Sequence, residues 1–237
     1  MDVVYSEKHH GNHNGSSTVN YIANREKINP FIDKLKNKEP VTIVTLGDSN
    51  TGNFWFTNGG KQWPEHIQTE LRKLYDYQYV MLFNAGICGD TAADGLRRLD
   101  RDVIRFKPDL TIVAFASNDA KKRHKDEFSK DMTAICQRLS KAGSLVVLRT
   151  VPPVLELKPN PPHIWKGDKE LRLLNQNVAT LAQQLHLPFV DIYGLWESLE
   201  KEGQLSMSKL MHDEVHTNAE GHALIANQML ELFKIVS

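Results

Sequence analysis

Five apolar segments rich in β-forming residues, at 41–46, 79–84, 110–116, 145–151 and 189–192, recur along the chain with stretches of helical periodicity between them. This alternation is the strongest constraint the sequence offers. It predicts an α/β fold: a five-stranded parallel sheet covered by helices on both faces and joined by right-handed crossovers. Trp63, Ile67, Leu71 and Leu74 space as one helix face, and so do Leu96, Leu99, Val103 and Ile104. Further helices are expected over 126–141, 168–185 and 218–235. No internal repeat and no Pro/Gly linker divides the chain, so one domain is expected over 21–237, after a polar extension over 1–20.

In an open parallel sheet, functional groups gather at the carboxyl ends of the strands. The first strand runs into Gly47-Asp48-Ser49-Asn50, which places a serine on a Gly-containing turn where a nucleophile would sit. The second runs into Asn84-Ala85-Gly86-Ile87-Cys88-Gly89-Asp90-Thr91, whose glycines let backbone N–H groups turn toward a ligand ahead of a helix. The third runs into Ala116-Ser117-Asn118-Asp119 and offers a side-chain amide. Backbone N–H groups with an Asn amide make a recurring oxyanion hole; equally, Gly89 suits a plain turn, and Asn118 and Asp119 suit a helix cap.

A base and an orienting carboxylate are available in Asp213-Glu214-Val215-His216. The following Thr217-Asn218-Ala219-Glu220 matches a capping box, with Thr217 as N-cap, so His216 is expected just ahead of a helix. In that turn Asp213 can fold back onto Nδ1 of His216 and leave Nε2 for Ser49.

These four blocks, in this order, resemble the SGNH or GDSL-type hydrolases, a family of esterases and lipases; the likeness spans 41–226. The resemblance implies a flavodoxin-like three-layer α/β/α sandwich that works without a cofactor. It implies Ser49 as nucleophile, His216 as base and Asp213 as its orienter. The oxyanion hole would be the N–H groups of Ser49 and Gly89 with the side chain of Asn118. Two positions depart from the family pattern. Ala116 stands where the third block usually has Gly, and Asn50 where Leu or Ile often follows the serine. The Gly-x-Ser-x-Gly elbow of the α/β-hydrolases is absent around Ser49.

The expected activity is hydrolysis of short-chain acyl esters, including O-acetyl groups on carbohydrates, through an acyl-enzyme. Lysophospholipids and thioesters are alternative substrates for the same machinery. Asp48, Asn50 and Trp55 are the expected substrate contacts, and Phe54, Phe56, Trp63 and Trp165 either line that pocket or pack in the core. The proline-rich segment 152–166 follows the fourth strand and should overhang the same sheet edge, as a substrate-contacting loop or a rigid connection. A metallohydrolase reading of His212, His216 and His222 fails on spacing: such motifs need both histidines on one helix, and the capping box starts the helix after His216. A binding module that has lost chemistry would not keep all four blocks filled. No metal is expected.

Composition narrows the partners. Lys+Arg and Asp+Glu number 29 each, so no net field draws the protein to nucleic acid or anionic lipid, and the basic run 121–125 reads as a solvated helix entrance. With 41% hydrophobic residues a sizeable core is available. Only Cys88 and Cys136 are present, which suggests a reduced, cytoplasmic setting. No apolar run approaches the roughly 20 residues of a spanning helix, so no membrane partner is expected. Residues 1–17 lack the apolar stretch of a secretory signal; His9, His10 and His13 are read as part of a flexible tail. Oligomeric state has no sequence signal.

Overall fold

The computed structural model describes residues 21–52, 54–122, 125–156, 163–164 and 168–234. The extension 1–20, Trp165 and much of the proline-rich segment lie outside them. The strands are β1 (Ile22–Ala23), β2 (Val41–Gly47), β3 (Val80–Gly86), β4 (Leu110–Ala114), β5 (Leu145–Arg149), β6 (Leu155–Glu156), β7 (His163–Ile164) and β8 (Phe189–Val190). The main sheet runs β1-β8-β5-β4-β2-β3; β6 and β7 pair separately. Five of its strands are parallel, and β1 adds an antiparallel edge to β8.

From β2 the chain moves out to β3, then returns to β4 on the other side. That is the flavodoxin-like order, with its switch point between β2 and β4. Gly47 pairs with both Gly86 and Ala114, so the ends of β2, β3 and β4 are level. Whatever leaves these three ends converges.

The helices are α1 (Asn29–Lys36), α2 (Ser49–Gly52), α3 (Trp63–Leu74), α4 (Ala92–Arg97), α5 (Leu99–Asp102), α6 (Asp119–Lys122), α7 (Lys125–Lys141), α8 (Lys169–Gln184), α9 (Ile192–Lys201), α10 (Met207–Leu210) and α11 (Ala219–Leu230). Because successive strand residues face opposite ways, Ile43, Ile112 and Val147 join a core with Phe31, Trp63, Trp196 and Ile225, whereas Val44, Val113 and Leu148 join one with Phe128, Met132 and Val178. Every residue of β4 is buried, as a strand covered on both faces requires. Edge strand β3 instead exposes Met81 and Phe83. On α3, a capping box from Gln62 and Glu65 starts the helix. Trp63, Ile67 and Leu71 are then fully buried, each contributing about 1.5–3 kcal/mol of transfer free energy.

The structure corrects several boundaries. Leu74 is half exposed at the end of α3 rather than part of its buried face. The single helix expected across Leu96 to Ile104 is broken into α4, α5 and a 3-10 turn over Ile104–Phe106. Ile192 opens α9 instead of closing a strand, because the Asp191 carboxylate caps that helix by accepting the Gly194 N–H. The helix after His216 is capped by Asn218, whose side chain accepts from Gly221, not by Thr217. Thr217 is occupied elsewhere: its N–H and hydroxyl both donate to Asn50.

Candidate active site

At the end of β2 the chain turns into α2 with no room to spare. A Cβ on Gly47 would lie 2.2 Å from Thr51 Oγ1, and one on Gly52 would lie 2.2 Å from the carbonyl oxygen of Gly86. Glycine backbone therefore rests on the end of β3, and Ser49 is fixed at the switch point. Asp48 is buried beneath the turn and its Oδ1 accepts the Asn50 N–H at 2.9 Å. Burial pushes the Asp48 carboxyl up to about 6, against the opposing pull of that N–H and of nearby Arg149 and His216.

His216 arrives on a tight loop closed by a bridge between Met211 and Thr217 and by a 2.7 Å bond from the His212 N–H to the His216 carbonyl. Within it, Asp213 Oδ1 accepts the N–H groups of Val215 and His216, both at 2.8 Å. The Asp213 carboxylate lies 2.8 Å (Oδ2) and 3.0 Å (Oδ1) from Nδ1 of His216. On the far side of the ring, Nε2 is 3.0 Å from Ser49 Oγ. Burial raises the Asp213 carboxyl, but the imidazole and the two backbone N–H groups outweigh it and hold the group below the usual carboxylate range.

Asn50 joins the two pieces. Its Nδ2 donates to the Val215 carbonyl at 3.1 Å, its Oδ1 accepts from Thr217, and its own carbonyl accepts the Trp63 indole N–H at 3.0 Å. Asp48 and Asn50, the expected substrate contacts, are thus 1% and 2% exposed; Asp48 Oδ1 and both polar atoms of the Asn50 side chain are engaged by the protein itself, while Asp48 Oδ2 is buried with no hydrogen-bond partner among the described residues. Trp55 is 70% exposed. Trp63 is a core residue, and Phe56 lies against His216.

The second and third blocks form one ledge beyond the level ends of β3 and β4. Gly89 has φ +81°, a left-handed conformation that glycine adopts without strain. Asn118 Nδ2 donates to the Asp90 carbonyl at 3.0 Å, which leaves a second amide hydrogen on that nitrogen. Asp119 acts as a cap, accepting the Ala92 N–H at the start of α4. Arg98, which the sequence does not single out, ties the ledge together. It donates to Asp90 Oδ2 (2.7 Å), to the Ala85 carbonyl (2.7 Å) and to the Gly47 carbonyl (3.1 Å).

His222 is buried in α11, its Nδ1 accepting the Trp63 N–H at 3.3 Å, and burial pushes it down to about 3. Among the described residues, no group of three or more His, Cys, Asp or Glu gathers as a metal site, and no helix is long and apolar enough to cross a membrane. The proline-rich segment flanks the histidine loop: the Leu155 N–H donates to the Glu214 carbonyl at 2.8 Å.

Known proteins share the sequence pattern and the fold of this chain. The chain is 26% identical over 202 residues to an acetylxylan esterase of Geobacillus stearothermophilus, covering 79% of this chain and 91% of that one. A crystal structure of a catalytic mutant of Axe2, an acetylxylan esterase from the same organism, superposes with a TM-score of 0.69 at 21% identity, over 83% of this chain and 95% of the other. A lipase/acylhydrolase from Enterococcus faecalis does so with a TM-score of 0.64 at 22% identity, over 81% and 94%. The model of one family matches residues 45–224, from the strand that delivers Ser49 to the helix that follows His216, and the chain belongs to that family, the GDSL-like Lipase/Acylhydrolase family.

Proposed function

We propose that the protein is a serine esterase acting on short-chain acyl esters, with O-acetyl groups on carbohydrates as the favoured substrate class. The observation that carries this reading is the continuous line from Ser49 Oγ through both ring nitrogens of His216 to Asp213. His216 Nε2 takes the Ser49 proton as Oγ attacks the ester carbonyl. Asp213 accepts from Nδ1–H and stabilises the imidazolium. The tetrahedral oxyanion is held by the N–H groups of Ser49 and Gly89 and the free amide hydrogen of Asn118. The imidazolium returns its proton to the leaving alcohol, and a water activated by the same ring then releases the acid.

The acetyl-carbohydrate preference is supported by the likeness to proteins named acetylxylan esterases and by the exposed indole of Trp55, a flat apolar face suited to a sugar ring. The test is a panel of p-nitrophenyl esters of rising acyl length with acetylated saccharides, a lysophospholipid and an acyl thioester alongside. Acetyl substrates should turn over fastest, and Ser49→Ala should lower kcat about 10⁴-fold or more with the fold intact. Wild-type turnover retained in Ser49→Ala overturns the mechanism; a preference for long acyl chains overturns the substrate class.

A further inference from the structure

The ring of Phe56 lies flat on the imidazole of His216, with centroids 3.6 Å apart and planes 11° from parallel. It also approaches His212 at a tilt, 5.5 Å between centroids. Phe56 is carried by a 3-10 turn over Phe54–Thr57, between α2 and α3. That turn is anchored on two sides. Thr57 is buried and donates its hydroxyl to the Gly60 carbonyl at 2.7 Å. Gly60 in turn abuts the start of α11, where a Cβ added to it would lie 2.9 Å from the Ala219 Cβ. Phe56 is therefore presented to the histidine loop by a fixed platform.

His216 is bonded at both ring nitrogens, to Asp213 through Nδ1 and to Ser49 through Nε2. Two bonds lying in the plane of the ring leave it free to tilt out of that plane, and tilting misdirects the Nε2 lone pair. A ring laid on one face blocks that tilt. It also acts differently at the two ends of the reaction. When His216 takes the Ser49 proton it becomes a cation over an aromatic face, and the attraction between them is stronger than for the neutral ring. An interaction that strengthens on the way to the transition state raises kcat rather than substrate binding.

From this geometry we infer that Phe56 is a positioning residue for His216, holding the imidazole plane in line with Ser49 and Asp213 and stabilising the imidazolium formed on proton transfer. The inference rests on the esterase reading above, with His216 as base.

The test uses the full chain with Phe56→Leu, which keeps apolar bulk but removes the ring face, and Phe56→Tyr, which keeps the face. Three quantities are read for each: kcat and KM on p-nitrophenyl acetate, the rate at which a fluorophosphonate labels Ser49, and Tm. Phe56→Leu should lose about tenfold in kcat, the size of a well-placed cation–π contact. Its KM should stay within about twofold and its labelling should slow in proportion, while Phe56→Tyr stays close to wild type. A raised KM at unchanged kcat would make Phe56 a pocket wall and overturn the inference. So would unchanged labelling in Phe56→Leu, or a Phe56→Tyr variant as slow as Phe56→Leu. If Phe56→Leu does not fold, Phe56→Met takes its place under the same criteria. Failure of the wild type to label at Ser49 overturns the esterase reading itself, and labelling that is equally fast in wild type and Phe56→Leu overturns this inference alone.

Discussion

The two faces of the sheet hold their buried charges in opposite ways. On the face covered by α4, α5 and α7, Arg98 is 8% exposed and all its nitrogens are spent on Asp90, Asp102 and the carbonyls that end β2 and β3. On the face covered by α3 and α11, Arg149 is fully buried, lies over the Trp63 ring at 4.6 Å and gives one bond to the Thr150 carbonyl. Its Nε and Nη2 have no hydrogen-bond partner among the described residues. Burial pushes this guanidinium down to about 10, against the attraction of Asp48. The difference is physical. A buried charge with partners on several strand ends locks backbone in place, whereas one held by burial and an aromatic face leaves a cost that varies with protonation. The first face fixes the Gly89 ledge, and the second carries a guanidinium that is only partly paired.

The largest effect should come from the paired face. Arg98→Met strands Asp90 without its partner and should lower unfolding free energy by about 3–5 kcal/mol, read from urea denaturation, and kcat should fall as the Gly89 turn loosens. A loss below about 1 kcal/mol would mean that the two faces do not differ as described. Next in size is the link between the Ser49 turn and the histidine loop: Asn50→Ala removes the bonds to Val215 and Thr217. Leaving those groups unpaired should cost about 1–3 kcal/mol and lower kcat by uncoupling the histidine loop from Ser49. Unchanged kcat in this variant would show that the loop holds its register without the link.

The smallest effect sharpens the pH contrast. His222 is pushed down to about 3 from an ordinary 6.5, chiefly by burial and also by the charge of Arg149. Between those values the unfolded chain takes up a proton that the fold refuses, so stability present above pH 6.5 is lost as pH falls. Relative to His222→Gln, the wild type should lose about 1.4 kcal/mol per pH unit in that window. Denaturant midpoints at pH 7 and pH 5 measure it, and parallel curves for the two proteins would refute the assignment.

What could be read from the sequence follows from where each signal originates. β2, β4 and β5 are visible because burial on two faces demands apolar runs, and α7 and α8 because a one-sided burial imposes a period. The break between α4 and α5 is invisible because Leu99 and Val103 are both buried and keep the period going while Arg98 turns toward the strand ends. β1 is two residues long and too short for any pattern. Thr217 and Glu220 have the residue types of a capping box, yet a bond to Asn50, far away in sequence, takes Thr217 out of that role. At the site, the proposed catalytic residues announce themselves by motif. Their supports do not: Arg98, Arg149, His222 and Phe56 act through contacts between distant segments, and no spacing encodes such a contact.

Ser49 and His216 are 167 positions apart, and the bonds of Asn50 to Val215 and Thr217 span 165 and 167. During synthesis the proposed nucleophile leaves the ribosome long before its base. All five parallel strands can be laid down while the serine still has nothing to take its proton. Closing so long a loop is entropically expensive and is repaid only when α10 and α11 dock. Under the proposed mechanism, the loop that carries His216 therefore also acts as a timer: a chain in which α10 and α11 have not yet docked holds a serine without its base.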